Sequence, residues 1–174
     1  MKAWTWILLL AAAVICCASP AAAQLDATCV ASITLNYNPP VRLVLPPAPA
    51  PNTTATGGGT ITTCVVTDGG PTTGTFTFSL EGNTTCTSSQ NITGTLDIVW
   101  SDNSVSYADI TTLAPILSSA GGTAGLTATV TSGRFAGEQL QIVSLRDPLA
   151  LIQCLLSGLS QATGTTSLTF TQPL

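Results

Sequence analysis

The sequence predicts an all-β protein, an antiparallel β-sandwich or partly open barrel of about nine strands, with one short helix near residues 148–156. Three observations predict it. Apolar and polar residues alternate along most of the chain, and Thr, Val and Ile are abundant where they do. Clusters of Gly, Pro, Asn and Asp interrupt the alternation at short intervals. Charge is scarce, at 7% of 174 residues, against about 25% in an ordinary soluble domain.

In chain order, residues 1–23 read as a secretory signal peptide. Lys2 supplies the positive start, Trp6 to Ile15 the apolar stretch, and Ala21-Ala22-Ala23 a small-residue cleavage site. The apolar stretch ends by Pro20, short of the roughly 20 residues that a membrane span needs. Ile15 before Cys16 speaks against a lipoprotein signal. Cleavage after Ala23 is expected to leave residues 24–174 as a single secreted, extracellular β-sandwich domain. It has no lysine, its only bases are Arg42, Arg134 and Arg146, and it keeps all eight acids.

Cys29 to Tyr37 alternates with its odd positions apolar, and 74–80, 92–100, 126–131 and 167–171 repeat the pattern. Weaker strands are expected near 41–45, 60–66, 104–110 and 138–145. Turns are expected at Asn38-Pro39-Pro40, Asp68 to Pro71, Glu81-Gly82-Asn83, Ser101 to Asn103 and Ser132 to Gly137. Asn103 suits a left-handed turn position between Trp100 and Val105. Pro46 to Pro51 reads as a stiff connector, and Gly57-Gly58-Gly59 and Ser118 to Gly122 as flexible loops. For the helix, Asp147 is the cap, Pro148 fits the first turn, Leu149, Ile152 and Leu156 line one side, and Gly158 ends it.

Cys29, Cys64, Cys86 and Cys154 remain after cleavage. An even count in an exported chain reads as two disulfides, and the close pairs of a zinc site are absent. Four cysteines allow three pairings. Cys29–Cys64 with Cys86–Cys154 is favoured, the first within the N-terminal strands and the second tying the helix to the later ones.

The composition excludes several chemistries. Without histidine there is no Ser-His-Asp triad, no Cys-His pair and no histidine-ligated zinc. With 4 Lys+Arg in all, no phosphate-tracking surface can form, so nucleic acid is not an expected partner. A carboxylate pair could hydrolyse a glycoside, and Asp97, Asp109 and Glu138 are the acids placed in strands. Nothing in the sequence brings them together. The candidate ligand contacts are Trp100, Tyr107 and Arg134. Trp100 and Tyr107 flank a turn and could stack on a sugar ring, but Trp100 is in phase with Ile92, Leu96 and Ile98 and reads better as a core anchor. Arg134 is expected to pair with an acid nearby such as Glu138, and Arg146 with Asp147. The Thr-x-Thr rows read as the solvent face of ordinary strands. Asn52, Asn83 and Asn91 match the glycosylation pattern, which chance supplies in so Thr-rich a chain.

The runs Ile98 to Ser104, Ser132 to Glu138, Asp147-Pro148-Leu149 up to Cys154, and Ala162 to Thr165 together resemble a group of uncharacterised small secreted β-rich proteins of high-GC bacteria. The resemblance covers most of residues 24–174 and implies fold and secretion, with no activity attached. The composition and four cysteines are also similar to those of the antibiotic-carrying chromoprotein sandwiches.

The expected function is therefore a secreted, non-catalytic binding or surface-associated structural module, without cofactor or metal, meeting an extracellular protein or cell-wall polymer. The alternatives are a loop-mediated inhibitor or small-ligand carrier, with Thr111 to Ala124 as the loop, and a carboxylate-only polysaccharide hydrolase. With no histidine or lysine after residue 23, stability is expected to be flat between about pH 5.5 and 8.5. A group titrating near 6–7 would have to be a buried carboxyl.

Overall fold

The computed structural model describes residues 24–45, 47–112, 116–117 and 123–173. Their strands are β1 (Leu25–Val41), β2 (Asn52–Val66), β3 (Gly74–Thr84), β4 (Ser88–Trp100), β5 (Val105–Thr112), β6 (Ile116–Leu117), β7 (Thr123–Gly133), β8 (Gln139–Arg146) and β9 (Leu159–Thr171). One helix, α1 (Pro148–Ser157), lies between β8 and β9. The proposed signal peptide lies outside the described residues, as does most of the 111–124 loop.

The all-β class and the single short helix hold; the sandwich does not. Every pairing is antiparallel, in the order β3-β2-β1-β9-β8-β7-β5-β4, and β3 also pairs with β4. Eight strands thus close into one up-and-down barrel, and the two-residue β6 adds to the start of β4. Sandwich and barrel share the same inward-outward alternation. They differ in whether the first and last strands meet, and here β1 pairs with β9 from Leu25↔Thr171 to Val41↔Leu159.

Alternation built the walls as expected. Cys29, Ala31, Ile33, Leu35 and Tyr37 all face inward along β1, while Thr75, Thr77, Thr93, Thr95, Thr127 and Thr129 face solvent. Asn103 adopts φ 66 in the β4–β5 turn. Both disulfides have the favoured pairing, Cys29–Cys64 between directly opposed residues of β1 and β2, and Cys86–Cys154 between the β3–β4 turn and α1.

Several local readings are corrected. Asn38-Pro39-Pro40 does not end a strand, since β1 continues to Val41 through an irregular stretch of its ladder with β9. Residues 42–45 are not a strand. Glu81-Gly82-Asn83 lies inside β3, and the reversal comes at 85–87.

Gly57-Gly58-Gly59 is the centre of β2, not a loop. Gly57 lies opposite Phe78 and Gly59 opposite Phe76, whose rings stack with centroids 6.2 Å apart. A Cβ at Gly59 would run into the Ser32 carbonyl oxygen and the Phe76 ring. Glycine is required there because aromatic rings occupy the space that side chains would fill. Gly59→Ala is expected to destabilise the barrel by about 2 kcal/mol through forced displacement of Phe76 or β1. Urea unfolding measures it, and an unchanged midpoint would show that β2 can shift freely.

The helix forms where the sequence places it. Asp147 Oδ1 accepts from the Leu149 N–H at 2.9 Å, Pro148 occupies the first turn, and Gly158 ends it at φ 86. The side that Leu149, Ile152 and Leu156 share faces away from the barrel. Ala150 and Cys154 are buried, whereas Leu149, Ile152 and Leu156 point to solvent.

The two ends of the barrel differ. At one end the β2–β3, β4–β5 and β7–β8 turns surround a packed aromatic plug. At the other lie the β1–β2 connector, the β3–β4 turn and α1, joined by Cys86–Cys154 and by the Cys86 N–H donating to the Arg42 carbonyl at 3.2 Å.

Candidate functional site: an apolar cavity in one half of the barrel

The packed end is built on Trp100, which is 1% exposed. Its ring centroid lies 5.8 Å from Phe135 and 6.1 Å from Phe170, and those two rings stack at 4.5 Å. The Trp100 Nε1–H donates to Ser106 Oγ at 2.9 Å, and that hydroxyl donates to the Arg134 carbonyl at 2.7 Å. Phe135 holds φ 65, a conformation costly for an aromatic residue, and this stack keeps it there.

Arg134 closes this end from outside. Its guanidinium carbon sits 4.9 Å from the Trp100 centroid and 4.5 Å from that of Phe135. It grips Asp68 in a fork, Nη2 to Oδ1 at 2.6 Å and Nε to Oδ2 at 3.2 Å, and donates to the Pro71 carbonyl at 2.8 Å. These bonds and the Gly70 N–H hold the Asp68 carboxyl below its ordinary range. Asp68, not Glu138, is therefore the partner of Arg134, and the pair joins the β2–β3 and β7–β8 turns.

Of the candidate contacts, Trp100 is inside the barrel, Tyr107 is 48% exposed on the outer wall, and Arg134 is committed to Asp68. They form no shared platform. Asp97 and Asp109 lie on neighbouring strands, β4 and β5, opposite Tyr107 and Thr95 respectively. Glu138 stands apart from both, at the packed end beside Asp26. Glu138 is 7% exposed and its Oε2 has no hydrogen-bond partner among the described residues. Burial first, then a hydrogen bond to Asp26 and the charges of Asp26 and Asp68, push Glu138 up to about 7, while Arg134 pulls the other way. Asp26 is itself buried and accepts from Gln24 Nε2 at 3.2 Å and Thr67 Oγ1 at 3.4 Å. The raised Glu138 carboxyl runs against the expectation of pH-independent stability, and its neighbour Asp26 is far from it in sequence. Neither carboxyl lines the barrel cavity.

A cavity lies in the other half. It measures about 70 Å³, within a larger void of about 780 Å³ that includes open solvent. Phe76, Phe78, Leu80, Leu96, Ile110 and Leu168 are among its walls. Among the described residues every lining side chain is uncharged, and the polar ones are Tyr37, Thr84, Ser89 and Ser144. Thr84 and Ser89 flank the β3–β4 turn and Ser144 lies near the end of β8, so these hydroxyls gather at the α1 end. Ser144 Oγ donates to Thr166 Oγ1 at 3.0 Å, which donates to the Val143 carbonyl at 3.2 Å. An eight-stranded barrel has room for its own side chains or for one small ligand. Here Trp100, Phe135 and Phe170 pack one half, while in the other the inward side chains, Phe76 and Phe78 among them, leave a gap. Alternation could not foretell this, because inward apolar residues look alike whether or not their side chains meet across the barrel.

Among the described residues no helix is long and apolar enough to cross a membrane. No family model, curated protein or solved structure matches the chain.

Proposed function

We propose that the protein is a secreted, non-catalytic carrier that holds one small, uncharged, apolar ligand inside its barrel. The observation that carries this reading is the cavity of about 70 Å³ whose described walls are uncharged, with their hydroxyls at one end. Apolar cavities of this kind stay dry and take up small apolar molecules. A charged ligand would lose its hydration with no opposite charge to replace it. Two disulfides and the signal-like N-terminus support the extracellular setting. The outer Thr rows lie on the convex wall of a closed barrel, which favours the interior over a flat polymer-binding face.

The test is calorimetric titration with primary alcohols of increasing chain length. Affinity is expected to rise by up to about 0.8 kcal/mol per methylene and to level off once the cavity is filled. Ala55→Leu, which adds volume at the cavity wall, is expected to weaken binding about tenfold, or 1.4 kcal/mol, without lowering the melting temperature. Alcohols that bind no better with length, or an Ala55→Leu protein that binds them as before, would remove the cavity from consideration.

A further inference from the structure

The hydroxyls at the polar end of the cavity include a chain with a fixed direction. Ser144 of β8 lines the cavity, and its direct partner across the ladder is Thr166 of β9. Both are buried. Thr166 Oγ1 lies 3.2 Å from the Val143 carbonyl, and Ser144 Oγ lies 3.0 Å from Thr166 Oγ1. A hydroxyl has one proton to give and two lone pairs to offer, whereas a carbonyl can only accept. Thr166 therefore gives its proton to Val143, and Ser144 must give its own to Thr166. What Ser144 Oγ has left to offer is lone pairs.

The other wall is different. Thr84 and Ser89 pair with each other on β3 and β4, which lie across the barrel from β8. Their hydroxyls can donate to a ligand oxygen. An ether or a ketone can use only that wall, because it has no proton for Ser144. Amines and carboxylic acids have protons, but they ionise at neutral pH and the described walls hold no opposite charge. An alcohol is uncharged, and it both gives and accepts.

We infer that the ligand is an alcohol and that Ser144 selects it, the ligand hydroxyl donating to Ser144 Oγ. Thr166 is a positioning residue: by holding the Ser144 proton it keeps Ser144 an acceptor. The inference rests on the carrier reading and names the ligand class of the same cavity.

The experiment is calorimetric titration with n-butanol, diethyl ether and butanone, which have equal numbers of heavy atoms. Each compound has the same cost of leaving water whichever protein it enters, so a change of preference between variants reads the site alone. The wild-type protein is expected to prefer n-butanol to diethyl ether by about tenfold. Ser144→Ala is expected to bind n-butanol about tenfold more weakly and diethyl ether as before. Thr166→Val releases the Ser144 proton, which can then turn to the ligand. It is expected to bind butanone and diethyl ether about threefold more tightly and n-butanol unchanged. A purely structural role for Thr166 would move all three compounds together. Melting curves show which variants are folded, and Ser144→Ala decides alone if Thr166→Val is not. Unchanged n-butanol affinity in Ser144→Ala would overturn the inference, as would a folded Thr166→Val protein that shifts the three compounds alike. Binding of all three without selection would leave the carrier reading standing and sink the alcohol assignment. A folded wild-type protein that binds none of them would sink both.

Discussion

Replacing Trp100 with alanine is expected to cost about 3–5 kcal/mol of folding stability, as for other fully buried large aromatics. Three losses combine. The ring fills the packed end between Phe135 and Phe170, and alanine would leave a cavity that rigid barrel walls cannot close. Ser106 Oγ would lose its donor in the interior, and Arg134 would lose one of the two rings beneath its guanidinium. Phe135, held at φ 65 by this packing, would be free to relax. Trp100→Phe separates these effects, because it keeps most of the volume and loses the Nε1 hydrogen bond. It is expected to cost about 1–2 kcal/mol. Urea unfolding followed by circular dichroism reads both variants, since Trp100 is the sole tryptophan after residue 23 and its fluorescence is lost with it. A loss below about 1 kcal/mol for the alanine variant would mean that the plug does not hold the packed end together.

Stability is expected to fall as pH rises from about 4.5 to 7, by up to about 3 kcal/mol, and to level off above. The group responsible is Glu138. Folding raises its pKa from 4.5 to about 7. Between those values the folded chain binds a proton that the unfolded chain does not, so the folded state loses ground with each increment of pH. The stabilisation is complete below 4.5 and is lost as pH passes through 7. Asp26, Asp68 and Arg134 are the charges that face it. Glu138→Gln is expected to abolish the slope and to exceed the wild type in stability at pH 8, because a neutral amide replaces a buried carboxylate. Thermal melts from pH 5 to 8.5 compare the two. Parallel curves would contradict the assignment to Glu138. A hydrolase would use such a raised carboxyl as a general acid. Its position on the packed side, away from the cavity walls, favours a structural origin for the shift.

What could be read in advance was local. The odd positions from Cys29 to Tyr37 announced a wall with one buried face, Asp147-Pro148 and Gly158 announced a helix and both its ends, and the cysteine pairing followed from which elements they sit on. Features that depend on partners distant in sequence could not be read. Nothing within Gly57-Gly58-Gly59 tells of the Phe76 and Phe78 rings that make a strand of it. Glu138 carries no mark of Asp26. The spacing of Leu149, Ile152 and Leu156 says that they share a face, and a period of 3.6 is silent on whether that face looks in or out. The same silence hid the cavity, because alternation marks which side chains face inward and not whether they meet.

The seam between β1 and β9 has a consequence for timing. The wall strands from β2 to β8 pair with neighbours in chain order, but β1 gains its second partner only when β9 is present. A chain delivered N-terminus first, from a ribosome or through a narrow pore, can form meander after meander and still have two open edges. The ladder from Leu25 to Val41 waits for Leu159 to Thr171, and until then the unpaired N–H and C=O groups of β1 are available to any strand nearby. Closure therefore comes last. A molecule cut short before Leu159 would lack the strand that hides both edges, and would present to its neighbours the pairing surface that the finished barrel keeps to itself.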